Sequence, residues 1–142
     1  MNGAERDAMV AVAHAHAAAE AAGDLEATMA TLDDDPVYEL QPMGVALRGR
    51  ATAREYYEHF FANVMPMMTG YSLRSEWVTD EGVGQEYELL VAGPDGPRRH
   101  AIIGILTFGT GALSGERIYA GDKLLQLFFG PLLDRAVPVG DA

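Results

Sequence analysis

The chain has 142 residues, 49% of them hydrophobic, which is enough for one domain with a real core; it has no cysteine, which excludes disulfides, thiolate nucleophiles and cysteine-bound zinc. Its formal charge of −11, from 21 acidic against 10 basic side chains, repels phosphate backbones, so no nucleic-acid partner is expected, while an uncharged or apolar small molecule stays open. No run approaches the roughly 18 apolar residues that cross a bilayer, and the opening Met1-Asn2-Gly3-Ala4-Glu5-Arg6-Asp7 has no basic-then-apolar signal pattern, so a cytoplasmic protein with no membrane partner is expected.

From Glu5 to Ala22 the chain is rich in alanine, lacks proline and glycine, and meets Gly23, which suits the left-handed position past a helix end. A helix is predicted there. His14 and His16 lie about 200° apart on it, so they cannot share a metal ion. Either they pack ordinarily or one points into a cavity, and His14 is carried as a candidate ligand contact. Asp24 offers an N-cap to a second helix through Leu32, which Asp33-Asp34-Asp35-Pro36 ends; the acids are read as a solvated turn, and no metal ligands are predicted.

Val37 to Gln41 reads as a short strand with Val37, Glu39 and Gln41 on one face and Tyr38 on the other. Pro42 and Gly44 break it before an extended piece around Ala46 to Arg48. A third helix follows over 51–65, where Tyr56, Phe60, Val64 and Tyr57, Phe61 recur at three and four, with His59 beside this apolar stripe. Tyr56 is a candidate ligand contact.

The second half alternates as strands do: Tyr71, Leu73, Ser75 and Trp77, then Tyr87, Leu89 and Val91. Tyr71, Trp77, Tyr87 and Leu89 are expected to line the inside, leaving Arg74, Glu76, Glu86 and Glu88 to solvent. Gly93-Pro94-Asp95-Gly96-Pro97 is a turn that pairs the Gln85 strand with an antiparallel strand from Arg98 to Phe108, apolar on both faces. His100 on that strand lies diagonally near Glu88, where it either supports proton transfer or stays outside the pocket; a one-residue slip reverses the answer. After a glycine-rich turn, Gly115 to Leu127 is a strand bearing Glu116 and Tyr119 that runs into Asp122 and an apolar segment. Without repeats or linkers, one domain over 1–142 is expected.

Three segments, Gly23-Asp24-Leu25-Glu26, Leu47-Arg48-Gly49-Arg50 ahead of Tyr56 and Tyr57, and Gly115-Glu116-Arg117-Ile118-Tyr119, resemble in order and spacing the SnoaL-like polyketide cyclases of the NTF2-like superfamily. The resemblance spans about Met9 to Leu132. It implies an α+β fold, the NTF2-like cone, in which a curved antiparallel sheet wraps around a long helix with two further N-terminal helices and opens on an apolar pocket. Ketosteroid isomerase-like members keep a general-base Asp before a Pro-x-Gly turn, whereas here Gln41 precedes Pro42-Met43-Gly44, and an amide cannot take the proton. The resemblance makes Gln41 a pocket-facing ligand contact and Glu39 an acid/base candidate, with a solvent-exposed rim carboxylate as the alternative. The Arg-x-Asp of limonene-epoxide-hydrolase-like members is missing from the strands. SnoaL-like cyclases place an acid/base Asp shortly after a Glu on the closing strand, which points to Asp122, with helix capping as the alternative; their assisting His has no counterpart, since Leu106 and Phe108 stand there. The expected catalytic set is Asp122, Glu39 and His100, and the expected ligand contacts are His14, Gln41, Tyr56, Trp77, Tyr87 and Tyr119. The implied function is a cofactor-independent cyclase or isomerase acting on an apolar polyketide, terpenoid or steroid-like compound, in a homodimer joined through the outer sheet faces; a non-catalytic binder of a small hydrophobic ligand and an association module are the alternatives.

Overall fold

Helix α1 (Gly3–Ala21) begins ahead of the predicted Glu5 because Asn2 and Glu5 form a capping box. Asn2 Oδ1 accepts from the Glu5 N–H at 2.8 Å, and Glu5 Oε2 accepts from the Asn2 N–H at 3.1 Å. Gly23 follows at φ 66°, and Asp24 then caps α2 (Leu25–Ala30) through a 3.0 Å bond from the Ala27 N–H. The second helix stops short of Leu32, since that residue already belongs to β1 (Leu32–Gln41). The triple aspartate is therefore part of a strand and not a turn. It occupies an irregular stretch of the pairing between Leu32 and Val37, where the missing N–H of Pro36 breaks no ladder bond and Asp35 holds Arg48 at 2.5 Å.

A tight turn returns the chain through β2 (Val45–Arg48) to α3 (Arg50–His59), which widens into a π-helical turn over Phe60–Val64 and tightens into a 3₁₀ turn at Met65–Met67. Four longer strands follow: β3 (Met68–Val78), β4 (Gly82–Val91), β5 (Arg98–Phe108) and β6 (Leu113–Ala120). An amphipathic α4 (Asp122–Phe129) and a short β7 (Val137–Pro138) close the fold. In this computed structural model, which describes residues 1–141, the strands form one curved, unclosed sheet in the order β3-β4-β5-β6-β1-β2-β7. All its pairs are antiparallel except β1 with β6, which run parallel. No helix among the described residues is long and apolar enough to cross a membrane.

The helices fill the concave side. Leu124, Leu125, Phe128 and Phe129 of α4 are buried there, with Phe129 stacked on Tyr56 of α3 at 4.1 Å between ring centroids and Phe128 edge-on to Phe60 at 5.1 Å. Each such ring stabilises the fold by roughly 1.5–3 kcal/mol through burial, and its geometry adds somewhat more. His59 is a strut: its Nε2–H donates to the Leu127 carbonyl at 3.0 Å while Nδ1 accepts from Asn63 at 3.0 Å, tying α3 to α4.

Where β6 meets β1, Gly115 has φ 143° and pairs with Val37. A Cβ there would fall 1.8 Å from the Val37 carbonyl oxygen, a backbone atom that cannot move aside. Gly115→Ala should therefore cost about 3 kcal/mol or more in urea unfolding, with a lower midpoint at unchanged slope. A loss below about 0.5 kcal/mol would contradict this account of the contact.

Candidate functional site

Alternation decides what faces the concave side. On β6, Glu116, Ile118 and Ala120 point in, while Arg117 and Tyr119 point out; on β5, Ile102, Gly104 and Leu106 stand opposite them. Val83, Gln85, Tyr87 and Leu89 continue this face on β4. Together with α1, α3, α4 and the start of β3 they border an open-mouthed cavity of about 240 Å³, whose walls include His16, Glu20, Tyr56, Phe60, Gln85 and Glu116.

At the floor lies a polar chain with its proton order set by its ends. Thr31 Oγ1 donates to the Thr28 carbonyl at 2.7 Å, so His16 Nδ1–H donates to Thr31 Oγ1, also at 2.7 Å. In the neutral ring, Nε2 then accepts from the Tyr57 hydroxyl at 3.1 Å, and Tyr57 in turn accepts from Tyr38 at 2.5 Å. Burial pushes Tyr38 and Tyr57 well above the usual phenol range, so both remain donors. Glu20, one helical turn after His16, brings Oε2 within 3.4 Å of the same Nε2.

Glu116 has no such partner. Paired in register with Tyr38, it is half-buried on the cavity wall with its carboxyl open to the cavity, and among the described residues nothing hydrogen-bonds it. Burial, and then the negative charge of Glu20, raise its carboxyl well above the ordinary 4.5. Room for it comes from Gly104: a Cβ there would stand 2.5 Å from Glu116 Oε2. Tyr56 also lines this space; its hydroxyl has no hydrogen-bond partner among the described residues, and burial raises it too. On the β4 wall, Gln85 is held by Glu76, whose Oε2 accepts from Nε2 at 3.0 Å, and its Oε1 is 3.4 Å from the Tyr87 hydroxyl. Glu76 also accepts from His14 Nε2 at 2.7 Å; the bonds from Gln85 and His14 lower its carboxyl.

Of the expected catalytic and ligand-contact residues, Tyr56 and Tyr87 line the cavity, and so do Tyr71 and Leu89 among those expected to face inward. The others lie elsewhere. Asp122 is exposed in the first turn of α4, where Gly121 and not Asp122 is the N-cap; the strand has already ended at Ala120, so the carboxylate meets the helix dipole and solvent. Glu39 and Gln41 occupy the outer face of β1 and Tyr38 the inner one, the reverse of the expected assignment, because Tyr38 and Leu40 carry the buried alternation. His100 pairs directly with Leu89 on the concave face, beyond Ile102 and off the cavity wall, while Glu88 points outward to Arg74 and Arg99. Burial, followed by the charges of Arg98 and Lys123, lowers the imidazole's pKa. A bulge between Leu73 and Ser75 shifts the β3 alternation, turning Glu76 inward and Trp77 outward over Gly84. Tyr119 is exposed on the outer face, and His14 reaches the rim through Glu76 but not the cavity.

Sequence reasoning missed Glu20 and Gln85, took Glu116 only as a mark of the family, and left open whether His14 or His16 points inward. One signal was present: Met9, Ala13, His16 and Glu20 recur at four, three and four, a single helix face that selects His16 over His14. No three His, Asp or Glu come together as a metal-ligand set among the described residues.

The SnoaL-like domain model matches residues 13–111, well over half of the chain. The chain belongs to the SnoaL-like domain family. The matched span ends before β6, so the family assignment does not itself reach Glu116. Among solved structures, an NTF2-like protein of unknown function from Burkholderia xenovorans LB400 is similar with a TM-score of 0.67 at 23% identity, over 84% of this chain and 88% of that one. A protein from Kribbella flavida DSM 17836, provisionally named a ketosteroid isomerase, has a TM-score of 0.66 at 15% identity over 83% and 81%. A de novo designed protein with a curved β-sheet reaches 0.68 at 15% identity over 89% and 98%. At these identities the likeness shows the fold alone. None of the curated proteins matches the sequence.

The sign of the pH effect follows from the raised Glu116 carboxyl. Below 4.5 both folded and unfolded chains hold its proton; above it the unfolded chain ionises first, so this group removes stability as pH rises toward its folded value. Other carboxyls, such as Glu76, are lowered and act in the opposite direction. The difference between wild type and Glu116→Gln isolates the effect: the variant should gain stability relative to wild type as pH rises from about 5 to 8 in urea titrations. Parallel curves would show that the Glu116 carboxyl is not raised.

Proposed function

We propose that the chain forms one SnoaL-like domain that acts as a cofactor-independent acid/base enzyme of the isomerase or cyclase type, with Glu116 and Glu20 as its working pair. The observation that carries this is an unpaired carboxyl facing a largely apolar cavity whose wall also holds a second carboxyl. Two carboxyls whose environments differ are suited to opposite roles, one giving and one taking a proton. With a ketone in the cavity, Glu116 gives its proton to the carbonyl oxygen and Glu20 takes one from the adjacent carbon, forming the enol. Returning a proton at a different carbon isomerises the compound, and attack of the enol carbon on an electrophile closes a ring. Tyr56 donates to the same oxygen, and the Tyr57–His16–Thr31 chain holds the imidazole beside Glu20 in one tautomer. A cavity of about 150 Å³ accepts benzene, so the larger volume here suits a molecule of about two fused rings.

The test uses 2-tetralone in D₂O, with exchange of its α-hydrogens followed by NMR. Wild type should exceed buffer, and Glu116→Gln should lose about 100-fold or more of the protein-dependent rate. Equal rates in both proteins, or none above buffer, would leave a non-catalytic binder of an apolar ligand as the reading.

The homodimer belongs to the same proposal. Ile103 and Ile105 are half-buried on the outer sheet face, with Trp77 at 38% and Tyr119 at 44% exposure beside them. An apolar face of this kind favours self-association. Light scattering should give twice the chain mass, falling to the single mass in Ile105→Lys; a monomeric wild type overturns this part alone.

A further inference from the structure

The cavity has an uncompensated charge problem. Glu20 and Glu116 share it, yet no Lys or Arg is among the residues of its wall. The imidazole of His16 is engaged at both nitrogens, by Thr31 and by Tyr57. The titratable groups around the Glu116 cavity from the surrounding elements are Glu20 and His16 on α1, Tyr38 on β1, Tyr56 and Tyr57 on α3, Tyr71 on β3 and Tyr87 on β4, so His16 alone among them can carry positive charge. Without a ligand, a proton on Glu116 resolves the repulsion. Something larger can do the same.

We infer that the ligand of this cavity carries a protonated amine, seated between the Glu20 and Glu116 carboxylates and against the aromatic wall of Tyr56, Phe60, Tyr71 and Tyr87. This rests on the reading that the two carboxyls act together on a bound molecule, and it names that molecule's class: an apolar body of about two rings bearing an ammonium group. The oxygens of Glu116 have no described partner and Glu20 meets only His16 Nε2, whereas an ammonium brings three N–H donors. Aromatic faces attract a desolvated cation, and the net charge of −11 raises the local concentration of cations while repelling anions. A neutral alcohol can accept from protonated Glu116 but leaves the Glu20 charge as it was.

The exchange balances simply. The ammonium enters with its proton, the Glu116 carboxyl releases its own to solvent, and the cavity ends with two carboxylates around one cation. Binding therefore strengthens as pH rises through the raised range of Glu116; with the amine bound Glu116 is a carboxylate, so the Tyr56 hydroxyl is the proton donor toward such a ligand, and proton donation by Glu116 belongs to neutral ketones such as 2-tetralone.

Three probes on one ring frame separate the possibilities: 2-aminotetralin, 2-tetralol and tetralin-2-carboxylic acid, titrated calorimetrically at near-neutral pH in two buffers of different ionisation heat. The amine should bind about tenfold or more tighter than the alcohol, with net proton release, and the acid weakest of all. Glu116→Gln should bind the alcohol and lose the preference for the amine. If that variant does not fold, Gly104→Ala, whose Cβ displaces the Glu116 carboxylate, should reduce the same preference. Alcohol or acid binding as tightly as the amine, a preference retained in Glu116→Gln, or no binding of any probe overturns the inference. Should the amine preference fail while 2-tetralone exchange still depends on Glu116, only the ligand class falls; should Glu116 titrate as an ordinary carboxyl, both readings fall together.

Discussion

The parallel contact of β1 with β6 is the constraint on which the rest of the structure depends. It joins the helical first half of the chain to the sheet of the second, and it does so at Gly115, where only a hydrogen fits against the Val37 carbonyl. The next register pair is Tyr38 with Glu116. Paired residues of adjacent strands face the same side, so one backbone contact directs both side chains into the cone. Tyr38 reaches Tyr57 on α3, Tyr57 reaches His16 on α1, and the two helices are thereby fixed relative to the strand that bears the carboxyl.

The two polar elements of the interior obey the same rule with opposite results. A buried polar group is costly unless it is hydrogen-bonded, by about 1–3 kcal/mol for each one left unmatched. The chain from Thr28 to Tyr38 meets that requirement at every atom and makes a rigid floor. Glu116 makes no such bond and opens its carboxyl to the cavity instead, where the low-dielectric surroundings and Glu20 favour its neutral form. Gly104 shows that the space is part of the design of this wall: nothing larger than hydrogen leaves the carboxyl where it is. An unsatisfied group kept in place by a glycine is a group available to a ligand.

Fold similarity alone cannot carry this conclusion. A designed protein with a curved sheet superimposes as well as natural relatives do, so the cone is a solution to the packing of a bent sheet around helices before it is a solution to any reaction. What distinguishes this chain is which side chains its concave face carries. Those choices lie partly beyond residue 111, where the family match ends.

Much was legible in the sequence. The helix over residues 5–22, the stripe of Tyr56 to Val64 and the hairpin across Gly93 to Pro97 follow from spacing, caps and turn residues, all local properties, and the three quoted segments point to the family. The site was not legible to the same degree, because facing is a matter of register and register is tertiary. Tyr38 and Glu39 exchange faces on a shift of one residue; the bulge after Leu73 turns Trp77 out and Glu76 in; and Asp122, attractive by its interval from Glu116, falls past the end of the strand. By itself the sequence determined the elements and their order, because those depend on neighbours a few residues apart. Only the tertiary structure decided that Glu116 faces the cavity, since its surroundings are made by Glu20, Tyr38 and Gly104, each brought in from a different element.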